Sequence, residues 1–308
     1  MIKITGLNCI NCGGSLNQEE DSNFLRCDYC GSFMVLNSQD AALEVQDPVL
    51  LTNRLAHQVF NGSKKESIRA MYEIRKIKHA KALPVFVENY IKAYEERQDF
   101  YSQKDARQLE SQIETFSYGI ENCDDPAAED QVLDLLSHEK KIIIRQALAN
   151  LEKFPRGKAR PEILELLQHD DQFIRIGAMY ALLAFRNPED LNHIISKLHD
   201  KSSFVVEMAI EILAQNNVTR CVPELARLAE ITYEYSDNDS DDKLKVRSAA
   251  IYALGLLGNE DVVDLLIRLY DSNNSEIEEE VIGALTKLMT RVSESGKNKI
   301  QDFLNKVS

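Results

Sequence analysis

Between residues 143 and 286 the chain repeats itself. The segments "FIRIGAMYALL" (173–183), "FVVEMAIEILA" (204–214), "KVRSAAIYALG" (245–255) and "EIEEEVIGALT" (276–286) share one apolar pattern. Ile174, Val205, Val246 and Ile277 correspond, at separations of 31, 41 and 31 residues. The same phase finds "IIRQALANL" (143–151), with Ile144 thirty residues before Ile174. Upstream, "SIRAMYEI" (67–74) and "DARQLESQI" (105–113) are looser matches that set Arg69, Arg107 and Arg145 at intervals of 38. A fixed period in this range is the signature of stacked repeats and takes precedence over any local motif.

After each clear segment come a turn and a second amphipathic run: "PEILELLQ" (161–168), "EDLNHIISKL" (189–198), "PELARLAEI" (223–231) and "EDVVDLLIRLY" (260–270). Apolar residues recur at helical spacing in both halves of the unit. Pro161 and Pro223 stand where a first helical turn tolerates a residue without an N–H. Small residues on the first helix, Gly177/Ala178 and Ala249/Ala250, leave room for a close neighbour. Gly255 and Gly258, in "LGLLGNED", read as part of the turn between helices. One helix pair of this length cannot bury its apolar face alone, so neighbours must stack, giving an all-α solenoid. With 12 Gly, 7 Pro and no Trp, the composition also favours helices over a β-sandwich.

The pattern resembles HEAT repeats, in particular the short HEAT-like repeats of phycobilisome lyases. The resemblance covers about residues 63–308, as seven repeats of which the last five are clear. The family's pairing of an aliphatic residue with Arg stands here as Ile68-Arg69, Ile144-Arg145, Ile174-Arg175 and Val246-Arg247. In that family the Arg commonly pairs with an Asp in a neighbouring inter-helix turn, so the resemblance implies Asp171, Asp200 and Asp271 as candidates. Val206 and Glu278 occupy the Arg position in two repeats, so a continuous Arg ladder is not expected.

The N-terminal residues follow a different rule. Cys9/Cys12 and Cys27/Cys30 are two C-x-x-C pairs, each followed by Gly (Gly13, Gly31), with fourteen residues between them. Four thiolates are the tetrahedral set for one Zn²⁺. "NFLRC" (23–27) and "SFMVLN" (32–37) read as short strands, with "NQEED" (17–21) at the turn. This resembles a zinc ribbon over residues 5–37. A redox C-x-x-C is not expected in duplicate, and the opening residues lack the apolar stretch of a secretory signal, which disfavours disulfides. Four thiolates close the coordination sphere, so a structural ion is expected and not a catalytic one. Cys123 and Cys221 are isolated and read as small buried apolar side chains. The organisation expected is therefore a ribbon over 1–37, a connector over 38–62 and the solenoid over 63–308.

Net charge is −14, but it is unevenly spread. Residues 63–120 carry 11 Lys/Arg against 9 Asp/Glu, and residues 121–308 carry 22 against 34. The acidic bulk disfavours general nucleic-acid binding. "KKESIRAMYEIRKIKHAK" (64–81) reads as a basic helix, either a solvated outer face or a partner surface using Lys64, Lys65, Lys76 and Lys78. "YEYSDNDSDDK" (233–243) accounts for the longer repeat. Its Asp237-x-Asp239-x-Asp241 spacing hints at calcium, yet Asp242 replaces the loop glycine and Ser248 the final Glu, so an acidic loop is the better reading. The six histidines show no metal spacing, and neither phosphate-binding glycine motif occurs. No run approaches a membrane span. The expectation is a cytoplasmic, non-enzymatic scaffold for protein partners. The alternatives are a nucleic-acid-associated protein and an enzyme subunit of the bilin-lyase type, the latter resting on resemblance of the scaffold alone.

Overall fold

The computed structural model describes residues 9, 16–18, 24–27, 33–36, 43–45, 47–99, 103–231, 240–271 and 274–307. The chain divides into two compact units, 1–162 and 163–308.

In the first unit, four short strands pair antiparallel in sequence order: β1 (Leu16–Gln18), β2 (Phe24–Cys27), β3 (Phe33–Leu36) and β4 (Leu43–Val45). Leu16 lies opposite Cys27, and Leu25 opposite Met34. β1 takes in Asn17 and Gln18, which the sequence places in a turn, because the ladder with β2 extends to Gln18 and Leu25. The stretch 38–62, expected as a connector, carries β4 and a full helix, α1 (Pro48–Asn61). Asp47 caps that helix through the amides of Val49 and Leu50, Pro48 occupies its first turn, and Leu51, Leu55, Ala56 and Val59 form its buried stripe. Helix pairing therefore begins at Pro48 and not at residue 63.

The helices that follow are α2 (Lys64–Ile74), α3 (Leu83–Asp99), α4 (Gln103–Glu121), α5 (Glu129–Leu136) and α6 (Lys141–Lys153). α1 pairs with α2, α3 with α4 and α5 with α6, while α2, α4 and α6 pack in one row. The buried Asn150 of α6 ties this row together. Its amide donates to the carbonyls of Ile120 (3.0 Å) and Cys123 (3.0 Å) at the end of α4. Carbonyls at a helix end lack intrahelical donors, and here side chains from the next repeat supply them, Asn150 to both and Arg156 to Cys123 as well.

Helix α7 (Arg160–Leu166) lies at the division between the units. The second unit holds α8 (Gln172–Leu183), α9 (Asp190–Ser196), α10 (Ser203–Gln215), α11 (Val222–Ala229), α12 (Ser240–Leu257), α13 (Val263–Leu269), α14 (Ser275–Leu288) and α15 (Glu294–Val307). α8, α10, α12 and α14 pack in a row, and α9, α11 and α13 each pack on a member of it. The corresponding residues Ile174, Val205, Val246 and Ile277 are all buried at these contacts. Burial of such a side chain is worth about 1.5–3 kcal/mol, so the row is held by its repeated aliphatic position.

Two sequence assignments need correction. Ile68 and Arg69 face solvent, and α2 buries Ser67, Ala70 and Ile74 instead, one residue out of the expected phase. Gly255 is inside α12, not in a turn; only Gly258 follows the helix. A Cβ on Gly255 would come within 2.5 Å of the Ala284 Cα on α14, so the glycine sets how closely these helices approach. Gly283 of α14 is the opposite case, its nearest neighbour being the far end of Lys287 at 3.7 Å. Gly255→Ala is expected to destabilise the chain by about 1–3 kcal/mol through overpacking. Gly283→Ala should stabilise it by about 0.4–1 kcal/mol, because alanine loses less chain entropy in a helix. Thermal midpoints of the two variants check the pair, and equal shifts would refute the close approach.

Candidate functional site

Cys9 and Cys27 are both buried and share one small cluster with Leu25 and Met34, against which Leu16 packs. The period of two along β2 puts Leu25 and Cys27 on one face, and the pairing with β1 and β3 brings Leu16 and Met34 to it. Two sulfur donors thus meet from separate parts of the sequence in an apolar, shielded setting. Two thiols are half of a tetrahedral Zn²⁺ set, and among the described residues no group of three or more His, Cys, Asp or Glu side chains comes together to hold a metal. Cys12 and Cys30 lie outside the described residues. Burial pushes the thiols of both Cys123 and Cys221 up to about 11, leaving them as inert core groups.

The four lysines do not form one helical face. Lys64 and Lys65 begin α2 beside the Ser63–Glu66 capping box, whereas the helix ends at Ile74, before Lys76 and Lys78. The Lys76 ammonium lies 3.7 Å from Glu73 and 4.1 Å from the centre of the Tyr72 ring. Of the acidic stretch 233–243, residues 240–243 start α12 and the rest lie outside the described residues.

Arg175 carries the pairing implied for the repeat. Its Nε donates to Asp200 Oδ2 (2.9 Å) and its Nη2 to Oδ1 (2.5 Å), while Nη1 donates to the carbonyls of His169 and Asp170. Both side chains are almost fully buried, at 3% and 6% exposure. Asp171 has another task, accepting the amides of Phe173 and Ile174 at the start of α8. Arg247 donates to the Ala229 carbonyl.

The sequence does not announce the role of its histidines. His138 Nδ1 accepts from the Lys140 amide, His169 Nδ1 from the Asp171 amide, and Asp200 Oδ1 from the Ser202 amide. These three acceptors are spaced by 31 and 31 residues. They are one repeat position, filled by imidazole twice and by carboxylate once. A search for metal spacings misses it; the period of 31 would have found it.

Exposed apolar side chains complete the picture. Among the described residues, Ile68, Tyr72, Tyr118, Phe173, Phe204 and Tyr252 are the large ones exposed on α2, α4, α8, α10 and α12, and Leu50 of α1 is the exception to this set. Phe173 and Phe204, 31 residues apart, meet edge to face at 5.9 Å. Among the described residues no helix is long and apolar enough to cross a membrane.

A family model described as HEAT repeats matches residues 129–214 and 230–305. No curated protein matches the chain by sequence. Among solved structures, the chain is similar to the Escherichia coli protein YibA at 16% identity, covering 80% of this chain and 97% of that one, with TM-score 0.42. Human deoxyhypusine hydroxylase in complex with glycerol is similar at 15% identity, with 79% and 98% covered and TM-score 0.36. An engineered protein is similar at 16% identity, with 81% and 70% covered and TM-score 0.41.

Proposed function

The chain belongs to the HEAT-repeat family, and from that premise we propose that it is a protein-interaction scaffold that holds partners and does not transform them. The observation that carries this reading is the placement of the exposed apolar side chains on alternate helices. Phe173 (46% exposed) and Phe204 (39%) on α8 and α10, and Tyr252 (44%) on α12, belong to the packed row of the second unit. Phe173 and Phe204 share one repeat position and touch, whereas Tyr252 stands at another. An apolar patch left in water marks a surface for another molecule, and aromatic anchors are the side chains that dominate such contacts.

The N-terminal strands form a second module in this reading, a zinc ribbon. Cys9, Cys12, Cys27 and Cys30 would hold one structural Zn²⁺, which when bound supplies folding energy to a segment too small for an apolar core of its own. Its support is the shared burial of Cys9 and Cys27 together with the two C-x-x-C spacings. A cytoplasmic location belongs to the same proposal.

The test is affinity capture by the intact chain, compared with Phe173→Ala/Phe204→Ala. The variant should keep its helical circular dichroism and lose the proteins that the unaltered chain retains. Retention that is unchanged, or no protein above control, would overturn the scaffold. Reversal of Lys64, Lys65, Lys76 and Lys78 to Glu should weaken an acidic partner at most. Salt-steep retention on duplex DNA, abolished by that reversal, would move the reading to nucleic acid.

A further inference from the structure

The second unit contains a cleft of about 440 Å³ between the turn that precedes α8 and the turn that precedes α10. It is lined by His169, Arg175, Lys197, Asp200 and Lys201, with Gln168 among its further wall residues. Three cations face one carboxylate there, in a chain whose net charge is −14.

That carboxylate is already occupied. Both Asp200 oxygens accept from Arg175, and Oδ1 accepts from the Ser202 amide as well. The Arg175 guanidinium has four of its five N–H donors engaged, two with Asp200 and two with the His169 and Asp170 carbonyls. Lys201 stands at the rim, 69% exposed, 3.6 Å from Asp170.

Lys197 is the group left over. Its side chain is only 5% exposed, and its ammonium approaches Asp200 Oδ2 no closer than 3.9 Å, beyond hydrogen-bonding reach. An ammonium carries three donors, and that of Lys197, at the end of an otherwise buried side chain, lines the cleft. Burial pushes the Lys197 ammonium below the ordinary lysine value, Asp200 acts against that shift, and Arg175 adds to it. His169 adds a further donor: its Nδ1 accepts the Asp171 amide, which leaves the ring proton on Nε2.

We propose that this cleft is an oxyanion-binding site, in which the ammonium of Lys197, carried on a buried side chain, is the principal donor to a phosphate or carboxylate group. The walls offer unspent donors and no unspent carboxylate, so the site selects anions over cations. The bound anion supplies the negative charge that Asp200, shared with Arg175, does not. The proposal stands apart from the scaffold reading, since it concerns the turns and not the exposed aromatic side chains.

The experiment is calorimetric titration of the full chain with inorganic phosphate, acetate and succinate, each alongside Lys197→Met. The unaltered chain should bind at least one of them saturably at millimolar concentration. Phosphate without the carboxylates would assign a phosphoryl ligand, and the reverse a carboxylate; both results support the site. Loss of a charge-assisted hydrogen bond should weaken binding in Lys197→Met by at least about tenfold. The ligand-free variant should melt at the same temperature as the unaltered chain or higher, because a desolvated charge is gone. A melting point lowered by the substitution would instead make Lys197 a structural partner of Asp200 and overturn the proposal. So would unchanged affinity in a folded variant. Absence of saturable binding by all three probes to the unaltered chain would overturn it regardless of how the variant folds.

Discussion

Asp200→Ala is expected to destabilise the 163–308 unit by about 3–5 kcal/mol, the usual loss when one member of a buried ion pair is removed. The carboxylate accepts two hydrogen bonds from Arg175 and lies 3.9 Å from the Lys197 ammonium without a hydrogen bond to it. Without it, two almost fully buried positive charges face each other with no counter-charge. Arg175→Ala is expected to cost less, because the carboxylate left behind still accepts from the Ser202 amide and borders the open cleft. The asymmetry follows from the geometry and not from residue type. Adding Lys197→Met to Asp200→Ala should recover part of the loss by removing one of the stranded cations. Denaturant midpoints, together with amide hydrogen exchange in α8 and α10, would report all four proteins. A loss below about 1 kcal/mol for Asp200→Ala, the range of exposed pairs, would show that water reaches this site.

The rows of helices were legible because aliphatic residues recur at one phase. Ile144, Ile174, Val205, Val246 and Ile277 are each buried where that phase requires. The reading slipped where side chains are small. In α2 the buried positions are Ser67 and Ala70, which carry too little apolar signal to compete with the adjacent Ile68. Helix α1 was hidden for a related reason: its stripe of Leu51, Leu55 and Val59 has no repeat-related partner upstream to confirm it. Gly255 misled in the other direction. Glycine marks turns in most local contexts, yet here it is a contact residue, required by Ala284 on the facing helix.

Polar roles were less legible than packing. The resemblance implies an Arg–Asp pairing with Asp171, Asp200 and Asp271 as candidates, and of these it is Asp200 that meets Arg175. The acceptor position shared by His138, His169 and Asp200 could not be found from residue type, because imidazole and carboxylate look unlike each other and act alike toward a backbone amide. Lys197 was the least visible. Nothing in "SKLHD" distinguishes a buried lysine from a solvated one. Its burial comes from the 3-10 turn over Lys197–His199 packing on α10, a tertiary fact.

The second large effect concerns the cysteines. Cys27→Ser is expected to abolish metal binding and unfold the four-stranded sheet. The sheet's described apolar cluster is only Cys9, Leu25, Cys27 and Met34, with Leu16 against it. Four buried side chains at about 1.5–3 kcal/mol each cannot offset the chain entropy of ordering some forty residues at about 1–2 kcal/mol per residue. Metal–thiolate binding, worth about 10–16 kcal/mol in small zinc modules, exceeds what this cluster contributes and would be the largest single term holding the sheet. Chelator should therefore have the same effect on the unaltered protein as the substitution has. Helical circular dichroism should survive in both cases, because repeats are stabilised chiefly by their immediate neighbours and the helix pairs begin at Pro48. Elemental analysis should find one zinc per unaltered chain and none in Cys27→Ser/Cys30→Ser. Stoichiometric metal in that double variant would remove the ribbon, and collapse of the helical signal on chelation would make it an integral cap of the repeats instead of a separate module.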